Sequence, residues 1–533
     1  MCVPEENGPP VLLWAPEEMI ILGRGCRMVS VLRSFGLNGI DAFPVMVEVD
    51  VSTAMPSFDL VGLPDAAVKE ARDRVRSALK NVGFVFPVAK ITVNLAPADT
   101  KKEGSRYDLP ILLGILQASG QLSFQPEQYA FLGELSLSGA VQPVSGVLPM
   151  VLEARQQGLE GVFVPKENAQ EASVVEGIRV FPVEQITEIT AHLIGESLIA
   201  PLSPYHFDST ILPTAPDFSE VKGQRAAKRA LEIAAAGGHN LLMIGSPGSG
   251  KSMLAKRVPS ILPEMTFQEA IDTTKVHSIA GALPPDEPIL RLRPFRAPHY
   301  TISAAGMSGG ASLRPGELSM AHNGVLFLDE LPEFNRRALE SLRQPLEDQT
   351  VTITRSSGTV RYPCSVMLLA AMNPCPCGYF GHPTKKCTCS PQTVSKYLAR
   401  ISGPLLDRMD LHVEVEPVEY ESLTSTQKEE PSVSVRERVN RARGIQLERF
   451  RKQAFLCNAR ITPGLLQAMC PMTDRASLLL KGAFERMGLS ARAYDRILKV
   501  ARTIADLENA EVIDSPHIAE AVQYRSLDRK YWK

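Results

Sequence analysis

The sequence predicts an α/β protein built from three successive units, and three observations predict it. Residues 217–416 alternate short apolar runs with helix-like segments, the signature of a doubly wound α/β core. Residues 28–199 mix strand-like alternation ("MVSVLRSFGLNGIDAFPVMVEVDVS") with helical periodicity ("DAAVKEARDRVRSALKNVG"), which reads as a smaller α+β unit. Residues 435–533 are mostly helical and charged, without clear strands. At ~150 residues per domain, the length of 533 residues accommodates roughly three or four such units.

The joints follow from composition. Residues 1–27 are rich in Pro and Glu and have no clean period, so they read as a loose extension, with Met28 an alternative start. Residues 200–216 form a linker of Pro, Ser and Thr, and the polar stretch "YESLTSTQKEEPSVS" marks a second linker at 417–434. Hydrophobic content of 44% and charged content of 22% are ordinary for a globular protein. A net charge of −2 excludes a chain that is basic throughout; contact with DNA would need a local patch or a pore assembled from several copies. Aromatic content of 6% argues against a broad base-stacking platform. The first residues lack a basic n-region, and no apolar stretch reaches the ~18 residues that would span a bilayer. A cytoplasmic setting without membrane contact is expected, in which the nine cysteines read as thiols or metal ligands.

The chemistry is clearest in "LLMIGSPGSGKSML". Gly245, Gly250, Lys251 and Ser252 fit G-x-x-x-x-G-K-[ST], with an apolar strand before and a helix after. Backbone N–H groups of Gly245, Ser246, Pro247, Gly248, Ser249 and Gly250, with the proline contributing none, are expected to form the cradle for ATP phosphates. Lys251 would neutralise the β- and γ-phosphates, and Ser252 would ligate Mg²⁺. "GVLFLDE" is a buried-strand run ending in two acids. Asp329 is placed to hold Mg²⁺ through water, and Glu330 to orient and activate the attacking water. The alternative is an acidic strand end that caps the next helix. "SVMLLAAMNP" ends at Asn373, whose amide could position that water; the alternative is a turn-forming Asn ahead of Pro374.

In this order and spacing these elements resemble AAA+ ATPases. "FSEVKGQ" is similar to the segment that packs near the adenine in that superfamily. "RPFRAPHYTISAAGMSGGASLRPGELSMAHNGVLFLDELPEF", "NPCPCGYFG" and "SGPLLDRMDLHVEV" resemble the magnesium-chelatase-like branch and, within it, the ComM/YifB family. The resemblance runs from Met28 to about Arg529. It implies a hexameric ring with ATP bound between subunits. It implies that Arg408 of "LLDRMD" is the arginine finger reaching the neighbour's γ-phosphate, and that Arg492 of "GLSARAYDRIL" is the second sensor arginine of a helical lid. On charge chemistry alone, either could be a surface salt-bridge residue.

"GELSLSGAVQPVSGVLPMVLEA", followed by "VFVPKEN", gives the first unit a resemblance to the Lon-protease proteolytic domain. That chemistry needs a Ser nucleophile with a Lys to take its proton. The Lys position falls at Leu148 and the Ser position at about Arg106, with Ser105 one place off, so peptide hydrolysis is not expected. A Lon-like scaffold without its dyad is similar to that of RadA-type DNA-repair ATPases, which implies a DNA- or partner-binding role. Lys69, Arg72, Arg74, Arg76 and Lys80 would supply a basic face, or else a solvated helix face.

"DQTVTITRSSGTVRYPCSV" reads as two strands joined by Ser356-Ser357-Gly358, flanked by Arg355 and Arg361. The resemblance places a pre-sensor hairpin there, pointing into the ring pore, and a helix-2 insertion at "AGALPPDEPILRLRPFRAP". Six hairpins would form a basic collar suited to backbone phosphates; the alternative is an ordinary surface hairpin. "CPCGYFGHPTKKCTC" sets Cys375, Cys377, Cys387 and Cys389 in two close pairs. Four thiolates can satisfy tetrahedral Zn²⁺, although usual spacings leave two or more residues within a pair. Structural zinc, free buried thiols and a redox role all remain open, with His382 a substitute ligand and Lys385 and Lys386 candidate DNA contacts. The resemblance implies an ATP-dependent branch-migration helicase acting on single-stranded and branched DNA in natural transformation, with recombination proteins as further partners. The alternative is a protein-remodelling or metal-chelatase-type ATPase. Against it stand the absence of an aromatic at the hairpin tip and of a D-x-S-x-S partner domain.

Overall fold

The computed structural model describes residues 29–208, 215–284, 287–310, 313–355, 358–417, 429–453 and 455–532. The extension 1–27, parts of both linkers (209–214 and 418–428) and Ser356-Ser357 of the hairpin turn lie outside the described residues. The chain divides into two compact units, the first ending at His206 and taking in residues 284–288, the second comprising the rest. No helix among the described residues is long and apolar enough to cross a membrane.

The first unit is an α+β fold around a seven-stranded mixed sheet. Its order is Ser57–Val61, Lys90–Ala96, Asp41–Ser52, Ser30–Asn38, Tyr129–Phe131, Gly161–Pro165 and Arg179–Val183. Ser30–Asn38 and Asp41–Ser52 pair as a hairpin across the short turn at Gly39, while the strands after residue 128 add in parallel. Alternating apolar residues of the hairpin face the helix Asp108–Ala118, which is buried along almost its whole length. That helix follows a single turn, Ser105–Tyr107, so Arg106, the position expected to match the Lon nucleophile, lies at the entrance to the most buried helix of the unit.

The second unit carries a five-stranded parallel sheet in the order Phe295–Arg296, Val325–Leu328, Met367–Met372, Leu241–Ile244, Leu411–Glu414. Strands covered on both faces must be apolar throughout, and "LLMI", "VLFL" and "MLLAAM" are buried at every position. Because the strands run parallel, their carboxyl ends line one edge of the sheet and their amino ends the other. The helices Ser432–Arg449, Asp474–Met487, Ala491–Leu507 and Ser515–Gln523 do not build a core of their own: Val439, Ala442, Ile497, Ala501, Ile504 and Ile518 belong to the same apolar cluster as Leu241, Met243 and Leu369. Charges within them pair inside: Asp506, fully buried, accepts from Arg449 at 2.8 and 2.5 Å and from Arg502 Nε at 3.1 Å, one carboxylate serving two guanidiniums.

Candidate functional site

Strand Leu241–Ile244 brings the chain to the carboxyl edge of the sheet, and the loop Gly245–Gly250 then reverses into the helix Lys251–Ala255. Gly250 closes the loop at φ 94°, a left-handed conformation that a side chain disfavours. Lys251, only 8% exposed, lies back in the loop: its Nζ donates to the carbonyls of Gly245 (2.7 Å) and Ser246 (2.9 Å) and to Asn373 Oδ1 (3.2 Å). Burial pushes the Lys251 ammonium down to about 8, against the opposing pull of the Asp329 and Glu330 carboxylates. Ser252 Oγ donates to Asp329 Oδ2 at 2.5 Å. Two hard oxygen donors therefore meet beside the lysine, and this donor set fits Mg²⁺ carried by a nucleotide.

Glu330 is exposed at φ 55°, and its side chain makes no capping hydrogen bond to the turn Leu331–Glu333. Asn373 accepts from Lys251 across 122 residues of sequence. Gln224, at the end of "FSEVKGQ", takes a left-handed conformation (φ 56°) and donates to Ser249 O at 3.2 Å and Glu416 O at 2.6 Å, tying that segment to the phosphate loop.

Arg408 and Arg492 are not brought to this cluster. Arg408 stands three residues before strand Leu411–Glu414, whose first residue pairs with Leu241, so it lies at the amino edge of the sheet. Its carbonyl accepts from Asn240 Nδ2 at 2.9 Å, its Nη1 donates to Pro404 O at 2.8 Å, and its Nη2 pairs with Glu347. Arg492 lies 3.6 Å from Asp407, and both arginines line one cleft of about 360 Å³ with Arg460, Arg496 and Lys499. Five cations against Glu347, Asp410 and Asp495 leave the cleft's lining net positive. Asp410, half-buried between His239 and Arg496, is held far below the usual carboxylate range by those two neighbours, against the cost of burial.

The hairpin forms as Thr350–Arg355 and Gly358–Pro363. Its register separates the two arginines: Arg355 pairs with Gly358 at the tip, while Arg361 faces Thr352 lower down. Both are exposed, whereas Val351, Ile353, Val360 and Tyr362 form a buried face. In the first unit, Arg74 is not part of a free basic face. It clamps the buried Asp108 at 2.6 and 3.0 Å, and burial still lifts that carboxyl to about 6. Lys69, Arg72, Arg76 and Lys80 remain exposed. At the lost dyad, Arg106 Nη1 donates to Met150 Sδ at 3.6 Å and Leu148 is fully buried, so no proton acceptor replaces the lysine at that position.

The four cysteines converge. Cys375, Cys377 and Cys387 have Sγ–Sγ separations of 3.4, 3.8 and 3.5 Å, and all four sulfurs lie within 4.8 Å of one another, none in a disulfide. Tetrahedral Zn²⁺ with Zn–S of about 2.3 Å requires sulfurs about 3.8 Å apart, so the cluster fits it. Backbone N–H groups of Thr388 and Tyr379 pull the Cys377 thiol down to about 5. His382 instead accepts from the N–H groups of Thr384 and Lys385, outside the sulfur set. The loop also touches the nucleotide site: a Cβ on Gly378 would lie 2.3 Å from Pro247 Cδ.

Comparison with known proteins matches these regions to the magnesium chelatase subunit ChlI: residues 217–423 to its main family model, 47–168 to a second ChlI model and 429–525 to its C-terminal model. The competence protein ComM of Haemophilus influenzae is 44% identical over 510 residues, covering 94% of this chain and 98% of its own. The chain belongs to the ComM/YifB family of magnesium-chelatase-like AAA+ ATPases. Its YifB relative in Escherichia coli, described as uncharacterised, is 42% identical over 504 residues, with 94% and 98% of the two chains covered. Lon protease 2 of Bacillus subtilis is 24% identical over 199 residues, 34% of this chain and 35% of its own, consistent with the Lon-like first unit. Sequence reasoning had no route to Glu347, which sits in a run of ordinary helical charges 61 residues from the arginine it holds.

Proposed function

We propose that this ComM/YifB-family ATPase is a DNA motor working as a ring of six copies. One observation carries the reading: Lys251, Ser252, Asp329, Glu330 and Asn373 gather at one edge of the sheet, while Arg408 and Arg492 line a cleft at the other. A complete hydrolytic site then requires two chains, one giving the phosphate loop and the next its arginines. Lys251 would hold the β/γ-phosphates, Glu330 would take the proton of a water oriented with the help of Asn373, and the Arg408 guanidinium would match charge spread over the transferring phosphoryl oxygens. Mg²⁺, held by Ser252 and Asp329, would supply charge neutralisation at the phosphate oxygens.

The exposed hairpin supports DNA as the cargo. Six copies of Arg355 and Arg361 would form a basic collar on a chain whose own net charge is −2, gripping backbone phosphates. The name of the Haemophilus influenzae relative supports a role in competence. The substrate would be joints between incoming single-stranded DNA and a chromosome, moved by branch migration in the cytoplasm alongside recombination proteins. The cysteine cluster would hold structural Zn²⁺, readable as one equivalent by elemental analysis of chelator-free protein. Three- and four-stranded joints test the motor: wild type should resolve them with ATP and Lys251→Ala should not, and a wild-type protein that moves no joint under any nucleotide rejects the reading. The ChlI family match favours a chelatase-type second reading, which an ATPase rate indifferent to DNA would select.

A further inference from the structure

We infer that Glu347 is the in-chain holding partner of the Arg408 finger and couples the hairpin to the nucleotide bound by the neighbouring copy. The inference rests on the motor reading above. Glu347 lies in the helix Arg343–Asp348, three residues before the hairpin strand that begins at Thr350. Its carboxylate accepts from Arg408 Nη2, while Nη1 is fixed on Pro404 O and Nε has no hydrogen-bond partner. The guanidinium is thus oriented and neutralised by one acid, with its buried Nε unsatisfied.

The exposures make this pair exchangeable. The Glu347 side chain is 63% exposed against 16% for Arg408, so water competes for the carboxylate half of the pair. A γ-phosphoryl group presents more charge and a geometry that the guanidinium fork fits. Arrival of a neighbour's ATP at Arg408 would release Glu347 rather than add a second acid beside it. The helix has a fixed point adjacent to that residue: Arg460 donates to Leu346 O at 3.2 Å and to Val366 O at 2.9 Å, beside the strand Met367–Met372. After Glu347 the chain turns through Gln349 in a left-handed conformation (φ 56°) directly into the hairpin. Releasing Glu347 therefore frees the hairpin stalk about an anchor that stays in place. ATP at one boundary is read as hairpin stance in the chain that donates the finger, and the empty boundary keeps its finger parked.

Glu347→Gln, which keeps shape and removes charge, tests this with Arg408→Ala and Glu340→Gln alongside. Glu340 pairs with Arg343 at 2.7 Å and also reaches Ser402 but not Arg408, so its variant reports loss of a nearby charge that does not hold the finger. Hydrolysis without DNA should rise several-fold in Glu347→Gln. The ratio of DNA affinities between ATP-analogue and ADP states should lose most of a coupling of about fivefold or more. Glu340→Gln should behave as wild type, and thermal melts should confirm that both variants fold. If Arg408→Ala abolishes turnover while Glu347→Gln matches wild type in both readouts, the holding role is overturned and the motor reading stands. If Arg408→Ala hydrolyses ATP at the wild-type rate, both fall.

Discussion

The two edges of the five-stranded sheet solve opposite problems. At the carboxyl edge the polar groups satisfy one another: Lys251 bonds Asn373, Ser252 bonds Asp329, and a nucleotide would take over contacts that already converge. At the amino edge the cations are held by acids that belong to no nucleotide site, Glu347 for Arg408 and Asp407 for Arg492. One edge is organised to receive phosphate and the other to deliver positive charge. Neither carries both sets of groups, and that difference is what the proposed site between chains rests on.

The largest effect should come from removing the finger. Arg408→Ala should lower turnover about 10³-fold with nucleotide binding nearly unchanged, measured by steady-state ATPase and fluorescent-nucleotide titration. The comparison sharpens in a mixture: equal parts Arg408→Ala and Glu330→Gln, each inactive alone, should recover about a quarter of wild-type turnover, the share of randomly formed boundaries with both edges intact. No recovery would mean that the edges do not meet. At the carboxyl edge, Lys251→Ala should cost nucleotide affinity about 30- to 150-fold, from the loss of charge-assisted hydrogen bonds.

A smaller effect follows from pH. Burial holds Lys251 at about 8, and phosphates favour its ammonium form, so nucleotide binding raises that value. Above about pH 8, ATP binding should take up a proton, and affinity should fall by up to about tenfold per unit as pH rises. Calorimetry in buffers of differing ionisation heat reads this directly; proton release on binding would contradict it. The smallest effect belongs to the first unit. Arg72→Glu with Arg76→Glu should weaken DNA binding several-fold and flatten its salt dependence by about two charges. Unchanged affinity would remove that helix from the DNA surface.

The nucleotide edge was legible in the sequence because its parts are contiguous: a strand, six loop residues and a helix are read without knowing what lies across space. The strand-end acids and Asn373 were legible because fully buried strands are conspicuous and their tips are few. What was not legible depended on partners distant in sequence. Periodicity put Arg74 on a basic face but carried no sign that Asp108 lies buried beneath it. The C-x-C spacing left the metal question open; convergence of the four sulfurs depends on the loop's path. The charge of the C-terminal helices concealed how deeply they sit, because Arg449 and Arg502 share the one buried carboxylate of Asp506.

That shared interior limits how the machine can bend. Swinging the C-terminal helices away from the sheet would strip Ile497, Ala501 and Ile504 from Leu241 and Met243 and wet a packed interior. Such a gap is too unfavourable to open at every catalytic cycle. The second unit should therefore tilt as one rigid wedge, and in the proposed ring any flexing would fall between copies.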